Sequence, residues 1–357
     1  MEKKTLKLIK GDREHRALES GSFLRLKDGR ILYVYVRYRG TGSGPEEPSE
    51  VMAITSADGG TTWSRPSCVL KPGKLGCETV SGLSLLRMEN GDIGLFFMLH
   101  SEPGWVNHIC LARSRTEGRT FFRVNKECAF DIYNGYFVLQ NDAVIRLSSG
   151  RILIPLTYHT GSRRDCPDSH VEDIAYGGFT YSDDDGKTWK TSTDEIYQTF
   201  SCTSTGLRHA GAVEIAPDTL RAFWATDMGC QYSSFSTDGA LHWTPSEPGR
   251  FTSPCSPMKV FKTAEGRFIG VWNPVPDYNG RKTDSSTRGL NTLVLSGLSQ
   301  DTLRAGEICE IENDASRGFT DEAVFEKEDG SLLLGYSSGS VSEGGYRSRI
   351  TIREVRP

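Results

Sequence analysis

Residues able to move protons or grip anions fall into a few short windows of this 357-residue chain. Arg16 with Glu19, Glu78, Asn141 with Asp142, Arg208 with His209, and Thr320-Asp321-Glu322 each stand at the start of a short apolar or β-branched run. A second set follows such runs. It comprises Arg37, Arg39, Glu46, Glu47 and Glu50, then His100 and Trp105, His159 onward to Glu172, Asp227, and Trp272 through Tyr278 to Arg288. Four of the seven histidines lie in these windows, as do many acidic residues, a cluster that suits a site although loops are polar in any case. Carboxyl groups and imidazoles transfer protons, and arginines grip anions through paired N–H donors. Metal chemistry is not expected. No H-E-x-x-H occurs, no Cys or His pair has zinc-site spacing, and the run Asp183 to Asp185 lacks calcium-loop spacing. A phosphate-binding glycine loop is missing too, and no cofactor is expected.

The elements that must position these residues are announced by two repeats. Ser56-Ala-Asp-Gly-Gly-Thr-Thr-Trp63 returns in full as Ser182-Asp-Asp-Asp-Gly-Lys-Thr-Trp189, following the pattern S-x-D-x-G-x-T-W. Ser236 to Trp243 keeps Ser, Asp and Trp; Ser114 to Phe121 keeps Ser, Gly and Thr; Ser296 to Leu303 is a faint fifth copy. A phrase recurring every ~50–70 residues marks an array of similar units. The second repeat counts them. Leu26 to Leu32, Met88 to Gly94, Leu147 to Leu153, Thr263 to Ile269 and Lys327 to Leu333 each set a Gly-containing turn between two strand-like runs, with Ile215 to Arg221 a degraded sixth. Such turns are hairpin signals, because their residues accept positive φ. Six hairpins, each leading toward the longer phrase or its remnant, predict six four-stranded sheets. The last sheet lacks a strand after Ser348 to Val355, and Thr5 to Ile9 can supply it. The expectation is an all-β, six-bladed β-propeller spanning residues 1–357 as a single domain, its ring closed by an N-terminal strand in the last blade.

Composition agrees. Thirty-eight glycines suit many turns, and a dispersed net charge of −4 points to neither nucleic acid nor an anionic membrane as partner. No apolar stretch approaches the roughly 18 residues of a membrane-spanning helix. Nine cysteines without C-x-x-C spacing read as reduced thiols of a cytoplasmic protein, and the N-terminal decapeptide has no apolar core of signal-peptide length. Secretion stays open, and nothing indicates the oligomeric state.

The long phrases resemble the Asp-boxes, or BNR repeats, of the sialidase superfamily, and the resemblance runs over nearly the whole chain. Gln140 to Pro155, Thr226 to Tyr232, Ser253 to Met258 and Val271 to Asn273 are similar to bacterial members of that superfamily. In the phrases themselves, Asp58, Asp184 and Asp238 bond their own turns more readily than a sugar. The resemblance implies a carbohydrate substrate at the channel mouth, where the two sets of windows converge. Family sialidases use a Tyr nucleophile, a Glu that activates it, an Asp acid and three arginines on the sugar carboxylate. Matched position by position, His209 stands where that Glu would, Ala225 where one clamp Arg would, and Asp321 where the Tyr would. Arg288 matches a family arginine, and the loop after Tyr38 offers Glu46, Glu47 and Glu50 in place of the Asp.

These departures suit a sugar whose anomeric carbon bears no carboxylate. The implied reaction is exo-acting glycoside hydrolysis with Glu47 or Glu46 as acid, Asp321 as nucleophile or base, and His209 sharing proton transfer. Arg288, Arg208, Arg37, Arg39, Asp142, His159, Asp227 and Trp272 are the candidate substrate contacts. Each has a structural reading beside the chemical one: His209 as a bonded channel histidine, Asp321 as a turn cap, Asp142 as a tie between loops, Trp272 as packing. A lyase using His209 or His159 as base with Arg208 or Arg288, and a non-catalytic sugar-binding propeller, are the other classes these residues allow.

Overall fold

The computed structural model of the protein describes residues 2–40, 47–76, 79–101, 106–128, 136–159, 174–198, 203–275 and 289–356. Strand β1 is Glu2–Lys10. Blade one holds β2 (Ala17–Arg25), β3 (Ile31–Tyr38), β4 (Ser49–Ser56) and β5 (Ser67–Leu70); blade two holds β6 (Thr79–Arg87), β7 (Ile93–Ser101), β8 (Val106–Ser114) and β9 (Phe122–Asn125). Blade three holds β10 (Tyr136–Val138), β11 (Ile145–Arg146), β12 (Ile152–His159), β13 (Ala175–Ser182) and β14 (Lys190–Thr191). Blade four holds β15 (Arg208–Ala216), β16 (Thr219–Ala225), β17 (Cys230–Ser236) and β18 (Glu247–Thr252). Blade five holds β19 (Met258–Lys262), β20 (Phe268–Trp272), β21 (Thr292–Leu298) and β22 (Ala305–Asn313). Blade six holds β23 (Gly318–Glu326), β24 (Leu332–Gly339) and β25 (Arg349–Arg356), and β1 pairs with β25 as its outer strand. The six small sheets form a six-bladed β-propeller, closed by the N-terminal strand as the hairpin count implies. Blade three departs from four strands, because its inner strand is split into β10 and β11, both paired with β12.

Strand alternation explains how the sheets stack. In β3, Val34, Val36 and Tyr38 join the blade-two side chains Val80, Leu83, Leu95 and Phe97, whereas Tyr33 and Tyr35 join Leu333, Ile350 and Ile352 of blade six. Successive side chains leave opposite faces, so a strand buried on both sides reads as an unbroken apolar run. The hairpin turns place Gly29, Gly91, Gly150, Gly266 and Gly330 at positive φ, and in the degraded copy Asp218 takes that conformation at 58°.

The antiparallel order within each blade sends the hairpins and the Ser-Asp-Thr phrases to one face of the ring. The leading loops and second-to-third loops go to the other. In the first phrase, Ser56 Oγ bonds Asp58 Oδ1 at 2.9 Å and receives Gly60 N–H at 2.8 Å. Thr62 donates N–H to Asp58 Oδ1 and its hydroxyl to Asp58 Oδ2, at 2.8 and 2.6 Å. Both Thr62 bonds hold the Asp58 carboxyl down at about 2. His242 Nδ1 replaces the threonine hydroxyl on Asp238 Oδ2 at 2.7 Å. With their oxygens committed to their own turns, on the face away from the mouth, these carboxylates are parts of the fold.

Candidate functional site

Four inner strands carry a register slip near the mouth. The slips fall between Ser20 and Ser22, Ser81 and Ser84, Arg208 and Gly211, and Thr320 and Ala323. A bulge leaves a residue outside the ladder and re-aims its side chain. Gly82, His209 and Asp321 occupy such positions with φ of 64°, 55° and 58°, and Asp142, in the break of blade three, has 53°. Left-handed backbone is uncommon for residues with side chains, though Asp and His tolerate it better than most. Three blades thus point a polar group at the axis by one backbone device.

Arg347, between β24 and β25, is the hub. Its Nε donates to Asp321 Oδ2 and its Nη2 to Asp321 Oδ1, each at 2.7 Å, while Nη1 reaches Glu19 Oε2 at 3.1 Å. Glu19 also receives Tyr38 O–H on Oε2 and Gly82 N–H on Oε1, both at 2.7 Å. The Arg347 side chain is 24% exposed against 6% for Glu19 and 3% for Asp321, so the guanidinium is the part of this triad that faces outward. Burial works against the Arg347 charge, but Asp321 and Glu19 more than restore it. Burial raises the Glu19 carboxyl, with Arg347 pulling against the rise and Asp321 adding to it.

His209 is held in one tautomer by a chain that starts at the backbone. Asn141 Nδ2 donates to the carbonyls of Gly21 and Asp321, at 3.1 and 3.0 Å. Carbonyls only accept, so the Asn141 amide has one orientation and its Oδ1 must receive Gln140 Nε2. Gln140 Oε1 then faces His209 Nδ1 at 2.9 Å. Nδ1 therefore carries the proton, and Nε2 keeps its lone pair. Burial lowers the His209 pKa to about 4, opposed by Asp321 and reinforced by Arg208 and Arg347, so the ring is neutral near pH 7. His209 is partly exposed at the mouth. The arrangement supplies a proton acceptor beside a compensated guanidinium.

The remaining expected residues are spread more widely. Asp142 bonds Ser22 Oγ at 2.6 Å and Lys259 Nζ at 2.9 Å, and receives Val324 N–H at 3.3 Å, which ties blades one, three, five and six across the axis. The loop-tie reading of Asp142 is the one its bonds fit. Asp227 spends both oxygens on Thr203, Ser204 and Thr205, anchoring the loop before β15. Trp272 is 2% exposed and meets Phe251 edge-on at 5.2 Å, so it offers no face to a sugar. His159 ends β12 with its ring 6.3 Å from that of Tyr136, whose hydroxyl lies 3.2 Å from His100 Nδ1; Ser81 Oγ sits 2.8 Å from His100 Nε2. Arg37 pairs with Glu50, and Arg39 lines the same cleft. Glu47 is half-buried, with its carboxylate over Gly40 and its carbonyl accepting Thr79 Oγ1. Glu46 and Arg288 lie outside the described residues.

Asp321 and His209 are brought to one neighbourhood, close enough for the Asp321 carboxylate to oppose the fall in the His209 pKa. A free Asp321 nucleophile is not what the geometry presents, since both its oxygens are on Arg347. Sequence reasoning missed Arg347 and the bridging part of Gln140. Arg347 had a signal: it lies in the second-to-third loop of blade six, at the same end of the blade as Arg37, His159 and Asp227 in theirs.

No protein-family profile and no curated protein matches the chain. Among solved structures, a protein of unknown function from Dyadobacter fermentans is 16% identical with a TM-score of 0.70, over 99% of both chains. The K499G mutant of NanB sialidase from Streptococcus pneumoniae is 14% identical with a TM-score of 0.72, over 99% of this chain and 70% of that one. The intramolecular trans-sialidase from Ruminococcus gnavus is 15% identical with a TM-score of 0.69, over 98% and 97%. These likenesses define the class of fold: a sialidase-like six-bladed β-propeller.

Proposed function

We propose that this chain is a sialidase-superfamily exo-glycoside hydrolase that cleaves a terminal sugar from a glycan or glycoside, with specificity away from sialosides. The observation that carries this reading is the Arg347 triad. A guanidinium already held by two carboxyl groups has little attraction left for a third on a substrate, whereas sugar hydroxyls find donors and acceptors together. In the proposed reaction, water attacks the anomeric carbon, His209 Nε2 takes its proton, and Glu47 or Glu46 protonates the departing oxygen. Asp321 is assigned to positioning Arg347 and to supporting the imidazolium that forms. A route without a carboxylate nucleophile inverts the anomeric configuration.

A panel of neutral and sialylated glycosides tests this with wild type, His209→Ala and Asp321→Asn. Release of a neutral reducing sugar with inverted configuration is expected, cut by roughly 10²–10⁴-fold in His209→Ala. Rapid release of sialic acid by the wild type would end the proposal. One observation favours a second reading: a neutral imidazole whose Nε2 keeps its lone pair, close to Arg208, is also suited to be the base of a uronate lyase. An unsaturated uronate, seen by its ultraviolet absorbance, would identify that chemistry, and neither product would leave a sugar-binding propeller.

A further inference from the structure

Beside the mouth, blade one carries a cleft of about 250 Å³ lined by His15, Arg37, Arg39, Glu50, Lys71 and neighbouring backbone. At ~30 Å³ per water it holds the equivalent of about eight, more than a bare ion needs. Three segments build it: the residues before β2, the facing ends of β3 and β4 with Arg39 and Pro48 beside them, and the start of the β5–β6 connection. All three belong to the face that bears His209 and Arg347. Strand alternation separates the two places: Tyr38 turns toward Glu19, while Arg37 leaves the opposite face of β3 and Arg39, just past the strand, lines the cleft with it.

The charges in the cleft do not cancel. Among the described residues Glu50 is its single carboxylate, paired with Arg37 across β3 and β4 and 3.8 Å from Lys71 Nζ. Arg39 has no carboxylate partner among the described residues, so two positive charges stay uncompensated. His15 adds a ring whose Nδ1 is taken by Asp12 at 3.0 Å, with Nε2 turned toward Glu50 at 4.0 Å. A concentrated positive site on a chain of net charge −4 is a local departure from the rest of the surface.

We propose that this cleft is a subsite for a tetrahedral oxyanion, a sulfate or phosphate ester on the part of the glycan beyond the terminal sugar. This deepens the hydrolase reading and rests on it for the glycan. A neutral sugar then lies over the compensated triad while its anionic neighbour is held by Arg39, Lys71 and Arg37. Guanidinium forks suit such groups better than isolated ammonium charges do.

The test has a binding arm that needs no turnover. Sodium sulfate and inorganic phosphate are titrated calorimetrically at fixed ionic strength into wild type, Arg39→Ala/Lys71→Ala and Glu50→Gln. Saturable binding is expected, weakened at least tenfold in the double variant and tightened severalfold in Glu50→Gln. The stronger of the two anions identifies the ester. Equal heats in wild type and double variant, or no saturable heat with either anion, overturn the subsite. In the kinetic arm, the kcat/KM ratio of a sulfated to an unsulfated glycoside is expected to exceed tenfold in wild type and fall toward unity in the double variant; an unmoved ratio also overturns it. Anion binding without glycan cleavage would sink the hydrolase reading alone, and cleavage without anion binding would sink this one alone.

Discussion

Two side-chain amides carry a constraint from backbone carbonyls to the imidazole of His209, and that constraint can be moved without touching the ring. In the proposed reaction the wild-type kcat/KM falls as pH drops through about 4, because His209 must be neutral to accept a proton. Replacing Gln140 by Glu keeps the shape and puts a carboxylate against Nδ1–H, which stabilises the imidazolium and raises its pKa. The acid limb should then move upward by roughly 1–2 pH units. A limb that stays in place would show that His209 is not the titrating group. That His209 and Asp321 would meet was legible from sequence, because each lies near the start of an inner strand and inner strands converge at the mouth. The grip of Arg347 was not. It lies 26 residues after Asp321, and nothing local to either residue signals the pair. The Asn141 bonds span 120 and 180 residues, so the tautomer of His209 becomes visible only when the ring is closed.

At the scale of the strand, the hairpins and the Ser-Asp-Thr phrases could be read directly, because their turns demand particular residue types at particular offsets. The break between β10 and β11 could not. No proline or glycine marks it; it follows from Asn141 and Asp142 turning out of the ladder to bond other blades. Asp142 is a tie whose worth can be measured. Asp142→Ala would leave Lys259, whose side chain is 16% exposed, without its carboxylate. Breaking such a pair from one side costs about 3 kcal/mol, more than the pair itself contributes, because a poorly solvated charge is left behind. Asp142→Ala/Lys259→Met should therefore recover at least half of that loss. Urea unfolding at constant m-value measures both. A single variant within ~0.5 kcal/mol of wild type would show that Asp142 does not hold the axis together.

At the scale of the ring, closure decides whether the inner strands stay in register with one another. Arg347 comes from blade six, Glu19 and Tyr38 from blade one, and Gly82 from blade two, so the triad straddles the seam where the two ends of the chain meet. The seam is fastened by β1, which pairs with β25 from Glu2 to Lys10 and sets Ile9 into the cluster of Tyr33, Tyr35 and Ile350. Its lysines Lys3, Lys4 and Lys10 remain exposed along the outer edge and Lys7 is half-buried there, and such charge discourages further strand pairing. Removing residues 1–10 strips that guard from β25 and uncovers Ile9's contacts and those of Leu6, a loss of at least ~3 kcal/mol from apolar burial alone. The shortened chain should melt several degrees lower, scatter light in a concentration-dependent way, and lose the proposed glycosidase activity ahead of its far-ultraviolet signal, because the triad loosens before the blades unfold. A synthetic peptide of residues 1–11 should restore the melting temperature by re-occupying the edge. Unchanged melting and activity after truncation would mean that blade six holds its place through β23 to β25 and that the seam does not govern the site.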